Sequence, residues 1–368
     1  MTSESQIEIR ATVSVREGLQ LDPPKAFANG LVAGNRRVVG QQAVRGGREW
    51  TYAWDARLPS EPRVLIQVVA ATDAEAAEIQ SVTIERRDVP PRPTRRLYLL
   101  AVGVNHYRDA QIQRLEYAVN NVRRLTDLLR RGSGGLYSSD AVLLLDDRAT
   151  RSLWTVVTRQ YAERLRREVH PDDLVVFCLS GHGVRDPVTE KYYFVAADAK
   201  FADVKAGRFS DCLSFDDFGV FADVPCRKLV ILDTCHSGAI QQPLRQQDLK
   251  AAVRALQNDV VFTMTASDGG QEAVEQRDRQ LGRFTSHLLE ALEGAADTGS
   301  RSGNSDGVVT LNEAIRYVTE TVRSESSRDP DGTLQSPTAS PLDLLDYVSL
   351  PLTRISPQTT VGPRPSSE

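Results

Sequence analysis

From residue 97 onward the chain alternates short apolar runs with segments of helical period, and few folds accept that alternation. The apolar runs cover 97–104, 141–145, 173–179, 228–232 and 259–265. Runs of this kind suit strands covered on both faces. Between them, Leu115, Ala118, Val119, Val122, Leu125, Leu128 and Leu129 form one helical stripe, and Leu153, Trp154, Val157, Tyr161 and Leu165 form another. Two further helices are predicted over 285–292 and 311–322. The second opens on Thr310-Leu-Asn-Glu313, a capping box in which hydroxyl and carboxylate satisfy each other's backbone N–H. Strand and helix in alternation predict an α/β domain: a mostly parallel sheet with helices on both faces.

The first ~90 residues read differently. Residues 6–15 alternate apolar and polar, Trp50 and Trp54 share one face of a period-two run, 63–71 is rich in Val and Ile, and 79–84 alternates again. Pro23-Pro24, Gly46-Gly47 and the stretch from Pro59 to Pro62 break these runs at turns. A small antiparallel β-sandwich, of the immunoglobulin-like kind, is the natural solution. It holds no cluster of reactive side chains and reads as an interaction or regulatory module. We place it over residues 1–89, a stiff Pro-rich connector over 90–95, the α/β domain over 96–352 and a disordered Pro/Ser/Thr-rich tail over 353–368.

Composition removes several function classes. The 368 residues leave room for two or three domains. A formal charge of −4 argues against a strongly basic nucleic-acid binder. No run approaches the ~20 apolar residues of a membrane span, and Met1-Thr2-Ser3-Glu4-Ser5 lacks the basic start of a secretory signal. Four cysteines with no Cys-x-x-Cys pair do not make a disulfide framework, so a cytoplasmic protein with reduced thiols is expected. Arg131-Gly-Ser-Gly-Gly135 lacks the Gly-Lys-Ser/Thr of a phosphate loop, and metal-ligand spacing among the cysteines and five histidines is absent. Neither cofactor nor metal is expected. Residues 302–313 loosely resemble a calcium loop, but Ser302 stands at its first position and the ligand set is incomplete.

Two apolar runs end in polar clusters. Residues 173–179 lead into Ser180-Gly181-His182-Gly183, and 228–232 lead into the tight, small-residue turn Asp233-Thr234-Cys235-His236-Ser237-Gly238. In open α/β sheets ligands bind at the carboxyl ends of strands. If these strands are neighbours, His182 and Cys235 face each other at the rim of the sheet. A thiolate is a nucleophile, and an adjacent imidazole lowers the thiol pKa and later protonates a leaving amine. Gly181 and Gly183 would let a substrate approach the His182 ring, and the N–H groups of Gly183 and Cys235 could form an oxyanion hole. A cysteine at a strand end is also a common packing residue. Cys178, Cys212 and Cys226 are read that way; Cys235 follows its strand and is flanked by Asp, His and Ser.

These two signatures resemble those of the caspase-like cysteine peptidase clan, in its metacaspase and bacterial caspase-homologue branch. Cys235 follows His182 by 53 residues. Leu97-Tyr-Leu-Leu-Ala-Val-Gly-Val-Asn-His-Tyr107, Lys191-Tyr-Tyr-Phe-Val-Ala-Ala-Asp198, Phe262-Thr-Met-Thr-Ala-Ser267, Gly282-Arg-Phe-Thr285 and Leu334-Gln-Ser-Pro337 resemble further parts of such domains. The likeness spans roughly residues 96–350 and leaves out the N-terminal module.

The resemblance implies a caspase-hemoglobinase fold and a cysteine endopeptidase, with His182 as general acid/base, Cys235 as nucleophile, and Gly183 and Cys235 as oxyanion donors. It implies that a peptide substrate binds as an added strand beside Ala266, Ser267 and Asp268, and that Ser180 and Asp233 line a pocket for P1 Arg, then Lys. Asp233 has a plainer reading too, as an orienter of its own turn. Many metacaspases carry a second acid in an Asn-Asp-Val context. Here the sequence is Asn120-Asn121-Val122, so further charge would have to come from Asp211 or Asp268. The polar stretch 241–257, with Arg245, Lys250 and Arg254, is either a solvated connector or a site of activating cleavage, by the enzyme itself or by an upstream protease. Relatives act in stress, cell-death or antiviral pathways, and calcium activates some of them. The expected partners are protein or peptide substrates, with no nucleic acid or membrane, and the expected state is monomeric. The alternatives are a catalytically silent scaffold that binds peptides or partners, and acyl transfer at the same thiol.

Overall fold

The computed structural model describes residues 5–29, 31–59, 63–70, 72, 78–86, 95–132, 134–186, 188–189, 191–221, 224–235, 261–267, 274–298, 303–329, 334–340 and 350–355. The first seven strands are β1 (Gln6–Arg16), β2 (Lys25–Ala28), β3 (Leu31–Val32), β4 (Gly34–Val44), β5 (Gly47–Arg57), β6 (Arg63–Ala70) and β7 (Glu78–Glu85). They make two antiparallel sheets, β1-β5-β4 and β3-β2-β6-β7. The inner faces meet over Ile9, Ala26, Ala28, Tyr52, Trp54, Val64 and Ile66, as the period-two pattern predicts. Leu65 lies between Val64 and Ile66 and so faces the other way; it joins the core of the larger domain instead.

That larger domain starts with β8 (Arg95–Gly103), α1 (Ala118–Arg131), β9 (Tyr137–Leu145), α2 (Arg151–Glu168) and β10 (Leu174–Arg185). It continues through β11 (Tyr192–Val195), α3 (Phe201–Lys205), β12 (Cys212–Ser214), β13 (Arg227–Cys235) and β14 (Val261–Thr265). A short hairpin follows, β15 (Glu275–Gln276) and β16 (Leu281–Gly282). The last elements are α4 (Arg283–Leu292), β17 (Val308–Thr310), α5 (Leu311–Ser326), β18 (Thr338–Ser340) and β19 (Pro351–Arg354).

β9, β8, β10, β13 and β14 run parallel side by side, and β18 closes the edge antiparallel. Alternate residues of the central strands fall on opposite faces. Leu99, Val176, Leu229 and Phe262 pack with α1, α4 and α5 on one face. Leu100, Phe177, Val230 and Leu232 pack with Trp154, Tyr161 and Leu165 of α2 on the other. This is the layered α/β arrangement expected, with the helices shifted by a few residues from their sequence bounds.

Two expectations change. The chain remains in strand past residue 352: β19 runs to Arg354 and pairs with β17, so the segment expected to be a loose tail contributes Thr353 and Arg354 to a ladder. The Ser180–Gly183 cluster does not follow the strand but is part of it. β10 continues through it to Arg185 and changes partner on the way, leaving β8 after Ser180 and taking up β11 at Gly183. Cys235 is likewise the last residue of β13. The expected tail from 356 onward and the 241–257 stretch lie outside the described residues.

Candidate active site

The change of partner along β10 creates the site. On the flank that β8 has left, the His182 N–H meets no strand. The hydroxyl of Tyr107, in the loop after β8, accepts it at 2.9 Å. The Tyr107 ring also stacks on the imidazole, with centroids 5.2 Å apart and planes at 21°. On the other flank β10 and β13 stay in parallel register, with Ser180 opposite Asp233, Gly181 opposite Thr234 and His182 opposite Cys235. Register partners on adjacent strands lie roughly 4.8 Å apart. The two residues that the sequence singled out are therefore nearest neighbours across one ladder.

His182 is 1% exposed. Its Nε2 lies 2.7 Å from the backbone carbonyl of Gln113. A carbonyl only accepts, so Nε2 carries the hydrogen, and in the neutral ring Nδ1 is the basic nitrogen. The loop bearing Tyr107 and Gln113 thus fixes tautomer and ring plane together.

The glycines beside His182 have a different cause from the one expected. A Cβ on Gly181 would lie 2.7 Å from the Phe194 ring, and one on Gly183 would collide with Tyr192. They make room for core aromatics of β11. Tyr192 in turn donates to Thr234 Oγ1 at 2.9 Å, which ties β11 to the residue before Cys235.

Asp233 is 5% exposed. Burial pushes its carboxyl up to about 6, against 3.8 ordinarily; the charge of Glu275 adds to the rise, while the Thr285 hydroxyl bonded to it opposes it. Asn121 Nδ2 donates to the same oxygen, Oδ2, at 3.1 Å. Asn121 is the hub of this corner: its Nδ2 also reaches Ser180 Oγ at 3.2 Å, and its Oδ1 accepts the Gly282 N–H at 2.9 Å. Four chain segments that are remote in sequence meet there.

Among the described residues no Lys or Arg pairs with Asp233 or Glu275. Asp211 is not near this corner. It precedes β12 on the edge where Asp217 pairs with Arg151 of α2 at 2.7 Å, and Glu275, which sequence reasoning missed, is the acid whose charge reaches Asp233. Asp268, His236, Ser237 and Gly238 lie outside the described residues.

Ala266 is not open to pairing by a substrate strand. Its N–H bonds Leu232 at 2.8 Å and its carbonyl accepts Gln335 Nε2 at 2.9 Å, so any such pairing begins at Ser267 or later. Thr285, Gly282 and Tyr107 stood inside motifs already noted. Gln335 stood there too, in the stretch 334–337, whereas Gln113 gave no signal, since it offers only a backbone carbonyl.

Cys178, Cys212 and Cys226 are buried, and burial pushes each thiol up to about 12, as packing residues require. Among the described residues no group of three or more His, Cys, Asp or Glu side chains could hold a metal ion. The carboxylates of the calcium-loop-like stretch are already engaged: Asp306 accepts the Val308 N–H at 2.8 Å and the Asn304 side-chain amide at 3.0 Å, and Glu313 accepts the N–H groups of Asn304 and Thr310. Among the described residues no helix is long and apolar enough to cross a membrane.

A family model described as the caspase domain matches residues 96–348. No curated protein matches the chain. Among solved structures, one titled "structure of pro-sf-caspase-1" aligns at 13% identity with a TM-score of 0.42, covering 68% of this chain and 92% of that one.

Proposed function

Because the chain belongs to the caspase domain family of peptidases, we propose that it is a cysteine endopeptidase that cleaves after Arg, then Lys, through Cys235 and His182. The observation that carries this reading is the register pairing of His182 with Cys235, together with an imidazole whose Nε2 is held by the Gln113 carbonyl.

In this reading Cys235 Sγ passes its proton to Nδ1 of His182 and attacks the scissile carbonyl carbon. The N–H groups of Gly183 and Cys235 stabilise the resulting oxyanion. The C–N bond breaks as His182 returns the proton to the leaving amine. Water, deprotonated by the same ring, then hydrolyses the thioester and restores the thiol. Asp233 receives the P1 cation, and Ser180 and Asn121 hold the floor of that pocket. A buried carboxylate that no Lys or Arg among the described residues pairs with suits a guanidinium, which it can meet with two hydrogen bonds.

Fluorogenic peptides ending in Arg, Lys or Asp, tested on wild type and on Cys235→Ala, decide the matter. Turnover of the Arg peptide that vanishes in Cys235→Ala supports the proposal. Turnover of the Asp peptide alone overturns the specificity, and alkylation of Cys235 without any peptide cleavage supports a silent scaffold.

A further inference from the structure

The acidic corner contains more charge than the neighbourhood of Asp233 accounts for. Glu275 lies on β15 opposite Gly282 of β16. Antiparallel partners are about 4.5–5.5 Å apart. Gly282 itself touches the pocket: a Cβ there would lie 2.8 Å from Asp233 Oδ2 and 3.1 Å from Asn121 Nδ2. The hairpin therefore carries a second carboxylate to the side of Asp233.

Glu275 is also fixed in place. Its oxygens accept the N–H of Tyr117 at 2.9 Å and of Glu116 at 3.2 Å, just ahead of α1. That helix has no side-chain cap of its own and no acid in its first turn. Glu275 reaches across 158 positions of sequence to complete it. Two further bonds hold the hairpin: Arg283 N–H to the Val274 carbonyl at 2.8 Å, and Gly282 N–H to Asn121 at 2.9 Å.

We propose that Glu275 is the second acid of the P1 pocket and sets its preference for a cation over a neutral side chain of the same shape. This rests on the reading of Asp233 as the P1 pocket. Two like charges raise each other's energy in an empty pocket, and a cation entering between them relieves both. Asn121 contributes an amide, which orients Asp233 but adds no charge, so among the described residues the charge beyond that of Asp233 comes from Glu275.

The test uses full-length Cys235→Ala protein, which binds peptide without turning it over. Calorimetry compares a tetrapeptide ending in arginine with its counterpart ending in citrulline, a neutral isostere. Glu275→Gln keeps an oxygen able to accept the two N–H groups and removes only the charge. We expect it to cut the arginine-over-citrulline preference by about tenfold with citrulline binding unchanged, and Glu275→Asp to restore most of the preference. An unchanged preference in Glu275→Gln overturns the proposal and leaves the basic pocket standing. Equal loss of both peptides makes Glu275 a helix cap only and also overturns it. If Cys235→Ala itself shows no preference for arginine, the P1 reading fails, and this proposal fails with it.

Discussion

The Tyr107 hydroxyl accepts the backbone N–H of His182 at 2.9 Å while its ring stacks on the imidazole. One residue thus holds both the main chain and the side chain of the proposed general base. Tyr107→Phe removes the hydroxyl and keeps the stack; it should lower kcat a few-fold. Tyr107→Ala removes both and should lower kcat by about one to two orders of magnitude, with KM changed little, because positioning of the base matters most in the transition state. Steady-state kinetics on an arginine peptide reads both. A larger rise in KM than fall in kcat would place Tyr107 in substrate binding instead.

Acidity should act on binding through Asp233. Its proton leaves near pH 6, so the pocket loses charge as pH falls through that value. The kcat/KM for arginine peptides should fall with it, while the citrulline counterpart, which needs no charge, should show a flatter profile. Parallel profiles for the two peptides would assign the pH dependence to the catalytic pair.

The same group bears on stability with the opposite sign. The folded carboxyl titrates about 6 against 3.8 ordinarily. Between those values the folded state holds the proton more tightly, so stability decreases as pH rises through the window, by about 3 kcal/mol in all. Both side-chain hydrogen bonds to Asp233 reach a single oxygen, which an amide oxygen can replace. Asp233→Asn should therefore raise Tm at pH 8 more than at pH 4, while abolishing selectivity for arginine. Thermal unfolding at the two pH values measures the difference; an equal shift at both would mean that burial of the charge is not what destabilises this corner.

Gly282→Ala introduces a methyl group 2.8 Å from Asp233 Oδ2 and 3.1 Å from Asn121 Nδ2. The overlap should cost about 1–3 kcal/mol of stability and weaken arginine peptides through displacement of Asp233. Chemical denaturation and peptide titration check the two effects. Loss of stability with unaltered arginine affinity would separate Gly282 from the pocket.

Alkylation of the native protein at neutral pH should modify Cys235 and spare Cys178, Cys212 and Cys226, whose thiols burial pushes up to about 12. After unfolding all four should react. Mass spectrometry of digested samples distinguishes the sites, and modification of any of the three buried thiols in the native state would contradict their placement.

Much of this architecture was legible in the sequence because burial writes its own pattern. Residues 97–104 and 174–179 are apolar throughout because both faces of their strands are covered, and the stripe from Leu115 to Leu129 marks the single buried face of α1. His182 and Cys235 were legible because each polar cluster follows such an apolar run. Glu275 was not: its role depends on a hairpin folding back onto a helix start 158 positions earlier, and no local pattern records that. Asn121 is legible as an amide that brings no charge, but its bonds to Ser180, Asp233 and Gly282 are revealed only by proximity in space. The glycines flanking His182 were assigned to substrate access because the rings of Phe194 and Tyr192 that occupy their space come from a different strand.

Leu65 belongs by sequence to the N-terminal sandwich and by packing to the interior of the peptidase domain. A seam of that sort makes the two parts interdependent in evolution as well as in heat. The smaller part cannot be exchanged for an unrelated module without an apolar residue arriving at the same spot, and its loss would wet a portion of the larger part's interior.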